Sequence, residues 1–186
     1  MVVDNIYEMP DEISKTDCNE EIEDLKELGK NKVALIDRGY EYVHNGEYSK
    51  AFRLFCNAIK LSDSDPEILN GLGISLCELG KLHESQRVLQ RSARLNPEDA
   101  FTYANLAGVC WEQKDFNQAI YYYYKSINLD PKIEESYFNL INLYIETGSL
   151  YMALITCIEY YKRFPNIEDA KELLYDIILN LGTYLF

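Results

Sequence analysis

The sequence is poor in histidine, tryptophan and proline, with 2, 1 and 5 copies among 186 residues. His44 and His83 lie on different parts of the chain, and neither has cysteines or carboxylates around it at metal-ligand spacing. No two cysteines are separated by two residues, and Gly71 and Gly73 are not followed by the Lys-Ser or Lys-Thr of a phosphate-binding loop. We therefore predict no metal, no cofactor and no catalytic residue, and we expect that the protein is not an enzyme.

Basic residues and long apolar runs are also scarce. Lysine and arginine together number 18 against 31 acidic residues, and the resulting net charge of -13 repels phosphate backbones. No stretch approaches the roughly 20 apolar residues that span a bilayer, and residues 1–10 lack the marks of a secretory signal. These absences predict no nucleic-acid partner, no membrane span and a cytoplasmic location. The odd number of cysteines, 5, fits a reducing compartment better than a disulfide framework.

The sequence does contain a repeat with a period of 34 residues. Gly46, Gly80 and Gly148 recur at multiples of this period, and Lys114 fills the one gap. A small residue follows each of these turn positions, and a second recurring position lies four residues later. Residues four apart share one face of a helix, so each of the two positions forms a column along the repeats. The small column is Ala51, Ser85, Ala119 and Ala153, and the second column is Phe55, Leu89, Tyr123 and Cys157.

A matching pattern precedes each turn. The large residues Leu35, Leu69, Tyr103 and Tyr137 recur there, and a small residue follows four positions later at Gly39, Gly73 and Ala107 but not at Ile141. Pro97, Pro131 and Pro165 close three of the units, since proline ends one helix and suits the start of the next. The period therefore predicts helix pairs at 32–45 with 47–60, 66–79 with 81–94, 100–113 with 115–128, and 134–147 with 149–162.

These columns resemble the tetratricopeptide repeat family, whose units have a large residue, Leu-Gly, an aromatic, Ala, a second aromatic and Pro. Arg38, Ile141, Cys157 and Tyr160 depart from the pattern. The resemblance implies an all-α fold, a right-handed α-α superhelix of four helix-turn-helix repeats plus a C-terminal capping helix. The predicted parts are an acidic extension (1–31), the repeats (32–65, 66–99, 100–133 and 134–167), and a capping helix with an apolar tail (168–186).

The two ends of the chain leave alternatives open. Residues 1–28 carry ten acidic residues against two lysines, which indicates a solvated extension or a segment that occupies the partner site. Within the extension, Ile22, Leu25 and Leu28 recur at helical spacing and favour a short helix over the first repeat. At the other end, Leu173, Leu174, Ile177, Ile178 and Leu181 form the predicted inward stripe of the capping helix. The apolar residues 183–186 either fold back or form an oligomer contact.

The resemblance also implies that the first helix of each repeat lines a concave peptide-binding groove. Asn105 and Asn139, one period apart, are candidate rungs of an asparagine ladder, because a carboxamide both donates to and accepts from a peptide backbone. The alternative is that these asparagines are merely solvated. The full set of candidates comprises carboxamides, apolar anchors and acids: Asn70, Asn105, Asn139, Asn142, Tyr40, Phe101, Trp111, Phe138, Glu112 and Glu146.

The predicted function is a protein-protein interaction scaffold that binds an extended segment of a partner. Family members that grip chaperone C-termini use Lys and Arg on the first helices, whereas Glu67, Glu112, Glu135 and Glu146 stand there in this sequence. A neutral or basic segment therefore fits better. Two alternatives remain, a small acidic secretion-type chaperone and a self-assembling module that forms a homo-oligomer through its C-terminus.

Overall fold

A computed structural model gives the fold and describes residues 28–29, 31–166, 171, 173, 175 and 177–179. Helices joined by short turns account for these residues, and no strand occurs among them. The helices between residues 31 and 166 are α1 (Lys32–His44), α2 (Tyr48–Ile59), α3 (Pro66–Glu78), α4 (Leu82–Leu95), α5 (Ala100–Glu112), α6 (Phe116–Leu129), α7 (Glu134–Glu146) and α8 (Leu150–Arg163). Each of them begins and ends within one residue of the predicted bounds.

Three of the first helices begin at equivalent side-chain caps. Oxygens of Asn31, Asp65 and Asp99 accept hydrogen bonds from backbone N–H groups in the first turns of α1, α3 and α5, which satisfies donors that have no partner within the helix. Burial alone would raise the pKa of the Asp65 carboxyl, but the Lys32 ammonium, 2.7 Å away, and the capped N–H groups hold that pKa below its usual value. The caps repeat with the period and fix where the first three units start, whereas Ile133 at the start of α7 provides no side-chain cap.

The four turns inside the repeats share one backbone geometry. Gly46, Gly80 and Gly148 have φ values of 73°, 76° and 72°, and Lys114 adopts the same left-handed conformation at 64°. In each turn the next residue donates its N–H to the carbonyl five positions earlier, as in the 2.8 Å bond from Glu47 to Tyr42. This is the usual way to end a helix at a left-handed residue, and Lys114 achieves it without glycine.

The chain divides into two compact units, Met1–Pro97 and Glu98–Phe186. In the first unit, α3 packs against α1, α2 and α4. The ring of Phe55 lies against two helix backbones, because a Cβ added to Gly39 would lie 2.7 Å from Phe55 Cζ and one added to Gly71 would also overlap that ring. Leu89 approaches Gly73 in the same way, at 2.5 Å from an added Cβ. These glycines therefore allow close helix contact.

In the second unit, α5 packs on α6, α6 on α7 and α7 on α8. Tyr123 is buried whereas Tyr121 is exposed, because successive residues point to different sides of a helix. The departures in the last repeat belong to the core: Ile141, Cys157 and Tyr160 are all fully buried. Tyr160 stacks on Tyr137 with ring centres 6.0 Å apart, and its hydroxyl donates a 2.7 Å hydrogen bond to Glu134 Oε1.

After a turn at 164–166, residues 171, 173, 175 and 177–179 are helical. Leu173 and Ile177 pack on the core of the second unit, with Ile177 buried. Ile178 is 49% exposed, so its predicted place in the inward stripe is wrong. Leu174, Leu181 and the tail at 183–186 lie outside the described residues, as do residues 1–27 and 30 of the acidic extension. Half-buried Leu28 packs on the first core.

Candidate functional site

In the first unit, two candidate residues lie on the first helices α1 and α3. Tyr40 packs edge-on against Phe55, with ring centres 5.2 Å apart, and its hydroxyl donates a 3.0 Å hydrogen bond to the carbonyl of Glu67. Tyr40 thus joins α1 to the start of α3. Asn70 is only 8% exposed, which leaves its carboxamide little surface for a partner.

In the second unit, α5 presents an aromatic residue near each end of one face. Phe101 is 58% exposed at the start of the helix, and the half-buried Trp111 stands near its end. Ala104 and Gly108 lie between them at helical spacing. A Cβ added to Gly108 would have one neighbour within 4 Å, Tyr123 Oη at 3.9 Å, so the helix backbone is approachable there. Asn105 is half-buried and Glu112 is exposed on the same helix.

Helix α7 combines apolar and carboxamide side chains on one side. Phe138 and Ile145 are 41% and 37% exposed, and Asn142 lies between them with spacings of four and three residues. Asn139 and Asn142 are half-buried, and Glu146 is exposed at the end of the helix. We call these residues of α5 and α7 the first-helix surface, comprising Phe101, Ala104, Asn105, Gly108, Trp111, Glu112, Phe138, Asn139, Asn142, Ile145 and Glu146.

Glu146 links the ends of α5 and α7. Trp111 Nε1 donates a 2.5 Å hydrogen bond to Glu146 Oε2, and Lys114 Nζ lies 3.4 Å from Glu146 Oε1. Trp111 is also held edge-on against buried Tyr123, at 6.4 Å between ring centres. The indole and the carboxylate are therefore fixed in place at one end of the first-helix surface, and Lys114 partly neutralises the charge.

The groups whose pKa values are raised most, Cys157 and Tyr144, are buried in the core of the second unit. Burial raises the pKa of the Cys157 thiol to about 11 and raises the pKa of Tyr144, whose hydroxyl lies 3.3 Å from that of Tyr124. No group of three metal-ligand side chains occurs in the part of the chain that the structure describes. None of the described helices is both long and apolar enough to cross a membrane.

The two-helix unit, the left-handed turn and the 34-residue period together characterise one repeat family. A tetratricopeptide repeat profile matches residues 65–132, which include α3, α4, α5 and α6. The chain contains tetratricopeptide repeats at residues 65–132. Its predicted all-helical fold is likewise confirmed by solved tetratricopeptide structures.

One curated relative is the N-terminal acetyltransferase A complex subunit-like protein of Schizosaccharomyces pombe. It is 26% identical to this tetratricopeptide repeat chain over 164 residues, which cover 87% of this chain and 22% of the relative. The chain thus spans about a fifth of the length of that relative.

Two solved structures share the fold. The type IV pilus biogenesis factor PilW is 24% identical, with a TM-score of 0.75, over 85% of this chain and 74% of PilW. The first tetratricopeptide domain of Spaghetti (RPAP3), solved with the HSP90 peptide SRMEEVD, is 15% identical, with a TM-score of 0.57, over 63% of this chain and 93% of that domain.

Tetratricopeptide register also identifies residues of the first-helix surface that sequence reasoning missed. Ile145 lies one period after Trp111 and is exposed beside Asn142, so the period alone could have found it. Gly108 also lies in register, one period before Asn142. The contact of Lys114 with Glu146 had no such signal, because it depends on side-chain conformation and not on spacing.

Proposed function

We propose that the protein is a non-catalytic interaction scaffold that binds an extended segment of another protein on its first-helix surface. The observation that carries this proposal is the combination of exposed Phe101, Phe138 and Ile145 with half-buried carboxamides on α5 and α7. Apolar side chains supply contact area, and each carboxamide can pair with both groups of a peptide unit. Tetratricopeptide proteins bind other proteins or peptides, which supports this use of the surface.

The charge of the surface favours a neutral or basic segment. Glu112 and Glu135 are exposed on α5 and α7, and Glu146 is shared with Lys114. The HSP90 peptide in the RPAP3 structure, SRMEEVD, contains three acidic residues, and such a sequence would be repelled here. A segment with lysine or arginine beside apolar residues would satisfy both the acids and the exposed aromatic rings.

The proposed location is the cytoplasm. The chain has 5 cysteines, an odd number, which fits a reducing compartment better than a disulfide framework. A chaperone role would use the same surface, and it would show as suppression of a client's aggregation by the wild-type chain.

The test is a peptide array probed with the full chain, in which peptides of equal apolar content carry net positive, zero or negative charge. We expect binding to the positive and neutral sets. The double variant Asn105→Ala with Asn139→Ala should lose roughly 1–3 kcal/mol of binding free energy, about 5- to 150-fold in Kd. Phe138→Ala should weaken binding further.

The matched control is Tyr121→Ala, which removes a 59% exposed aromatic ring from α6, outside the first-helix surface. It should leave Kd and the melting temperature unchanged. Binding that is equally strong in the asparagine double variant, or that prefers acidic peptides, would count against the proposal.

A further inference from the structure

Helix α8 carries an apolar stripe on its outer side. Tyr151, Ile155 and Ile158 are 70%, 42% and 36% exposed, and exposed Lys162 continues their line. The spacings of four, three and four residues match the heptad seam through which two helices pair. The stripe spans about 16 Å along the helix. It lies opposite Ala153, Cys157 and Tyr160, which are the fully buried residues of α8.

The earlier repeats show that packing within the repeat does not require this stripe. Subtracting one, two or three periods from each position gives the equivalent residues of α6, α4 and α2, and these are mainly polar. They are Asn117, His83 and Ser49 for Tyr151, then Tyr121, Arg87 and Arg53 for Ile155, and Tyr124, Gln90 and Cys56 for Ile158. At these last two positions isoleucine therefore occurs only in the last repeat, whereas the other repeats have arginine, tyrosine, glutamine or cysteine there. An exposed apolar patch of this kind indicates a contact surface.

We propose that the α8 stripe is the interface through which two copies of this chain associate, with the two α8 helices antiparallel. In an antiparallel pair, the stripe of one copy faces the stripe of the other in reverse order. The order Tyr-Ile-Ile-Lys then places residues of complementary chemistry opposite each other. Antiparallel pairing sets Tyr151 of one copy against Lys162 of the other, and Ile155 against Ile158. Each ring then receives an ammonium group on its face, and the isoleucines form the centre. Such self-complementarity is what an isologous two-fold interface requires.

The charge of α8 is compatible with self-association through this face. The chain carries a net charge of -13, so two copies repel one another over most of their surfaces. Helix α8 does not add to this repulsion, because Glu159 is its one acidic residue against Lys162 and Arg163. Helices α2, α4 and α6 also carry no net negative charge, but they lack isoleucine at the positions of the stripe. Four side chains per copy bury less area than a standard stable interface, so the dimer is weak and depends on concentration. It leaves the first-helix surface free for a partner and goes beyond the function proposed above.

The primary test is sedimentation equilibrium of the full chain over a wide concentration range. We expect a monomer-dimer equilibrium in the wild type, and Ile155→Lys should raise the dimer Kd by about tenfold or more because it places a charge at the centre of the interface. Tyr121→Lys is the matched control, since it puts the same charge at the equivalent exposed position of α6, one period earlier, and it should leave the Kd unchanged. If Ile155→Lys fails to fold by circular dichroism, Ile158→Ser replaces it.

A swap distinguishes the antiparallel pair from any other use of the stripe. Tyr151→Lys alone places lysine against lysine twice in the dimer and should weaken it. Adding Lys162→Tyr restores one ring opposite one ammonium at each contact, and the dimer should return. Failure of the second change to restore association would overturn the pairing. A wild type that stays monomeric at every concentration, including one that instead binds another protein or lipid vesicles through α8, would overturn the proposal.

Discussion

The ring of Phe55 and the backbone of Gly71 are in direct contact, and no side chain fits between them. Phe55 belongs to α2 and Gly71 to α3, so this contact sets how closely the first repeat approaches the second. A Cβ at residue 71 would overlap the ring, and a packed core yields to such overlap only at a cost.

Gly71→Ala should therefore lower the free energy of unfolding by roughly 1–3 kcal/mol, although alanine is the better helix former. Urea unfolding followed by circular dichroism measures this change. Adding Phe55→Leu removes the ring and should recover part of the loss. Gly108→Ala is the control, because its new Cβ meets only Tyr123 Oη at 3.9 Å and should stabilise the chain by about 0.5–1 kcal/mol. Destabilisation of equal size at both glycines would contradict the contact.

A second prediction concerns the two hydroxyls that join α6 to α7. Ser126 Oγ and Ser136 Oγ lie 2.8 Å apart, and both side chains are fully buried. Either single change to alanine leaves the other hydroxyl without this partner and should cost about 1–3 kcal/mol. The double variant removes both polar groups, so it should cost less than the sum of the two single changes.

A double-mutant cycle in urea measures this coupling, which we expect to be about 1 kcal/mol or more. The control cycle combines Ser126→Ala with Ser75→Ala. Ser75 donates within its own helix to the carbonyl of Gly71, at 2.9 Å, and shares no partner with Ser126. These two changes should add, and coupling of similar size in both cycles would refute the prediction.

A third prediction concerns the turn where lysine replaces glycine. Lys114 has a φ of 64°, which is costly for a residue with a Cβ, and its side chain reaches Glu146. Lys114→Gly and Lys114→Ala both lose that ion pair, and they differ only in the backbone penalty. We expect the glycine variant to unfold at higher urea and to be more stable by about 1 kcal/mol.

The neighbouring residue provides the control for this pair. Gln113 has a φ of -75°, a conformation in which alanine carries no penalty. Gln113→Ala should therefore be more stable than Gln113→Gly by about 0.5–1 kcal/mol. We thus expect the alanine variant to be the more stable at position 113 and the glycine variant to be the more stable at position 114. The same order at both positions would mean that backbone conformation does not decide these stabilities.

The period predicted the helices because it reports backbone features directly. Gly46, Gly80 and Gly148 mark left-handed turns. Because such a turn recurs every 34 residues, the turn positions determine where each helix begins and ends. Phe55 and Tyr123 were predictable as core residues for the same reason. Nothing in the period marks the division between Pro97 and Glu98, because the repeat continues across it.

The candidate site was harder to predict because it depends on side-chain burial and conformation. Asn70 and Asn105 both look like groove carboxamides in the sequence, yet Asn70 is buried and Asn105 is half-buried. Ile178 has the spacing of an inward residue but is exposed. Neighbouring residues of a helix point about 100° apart, so Ile178 can face solvent although Ile177 is buried. Peptide binding by these residues remains a prediction.

The last prediction concerns the buried thiol of Cys157, whose pKa is about 11 in the folded chain against 9.0 for an ordinary cysteine. Between these two pH values the unfolded chain releases this proton and the folded chain keeps it, so the free energy of unfolding falls as pH rises. The full loss is at most about 2–3 kcal/mol.

Urea unfolding from about pH 8 to about pH 11 should therefore show a steeper decline in the free energy of unfolding for the wild type than for Cys157→Ala. The cavity in that variant lowers stability equally at every pH. Tyrosines with raised pKa values, such as Tyr144, contribute to the slope of both proteins, so the difference between the two curves isolates the thiol. Parallel curves would show that this thiol does not control the alkaline stability.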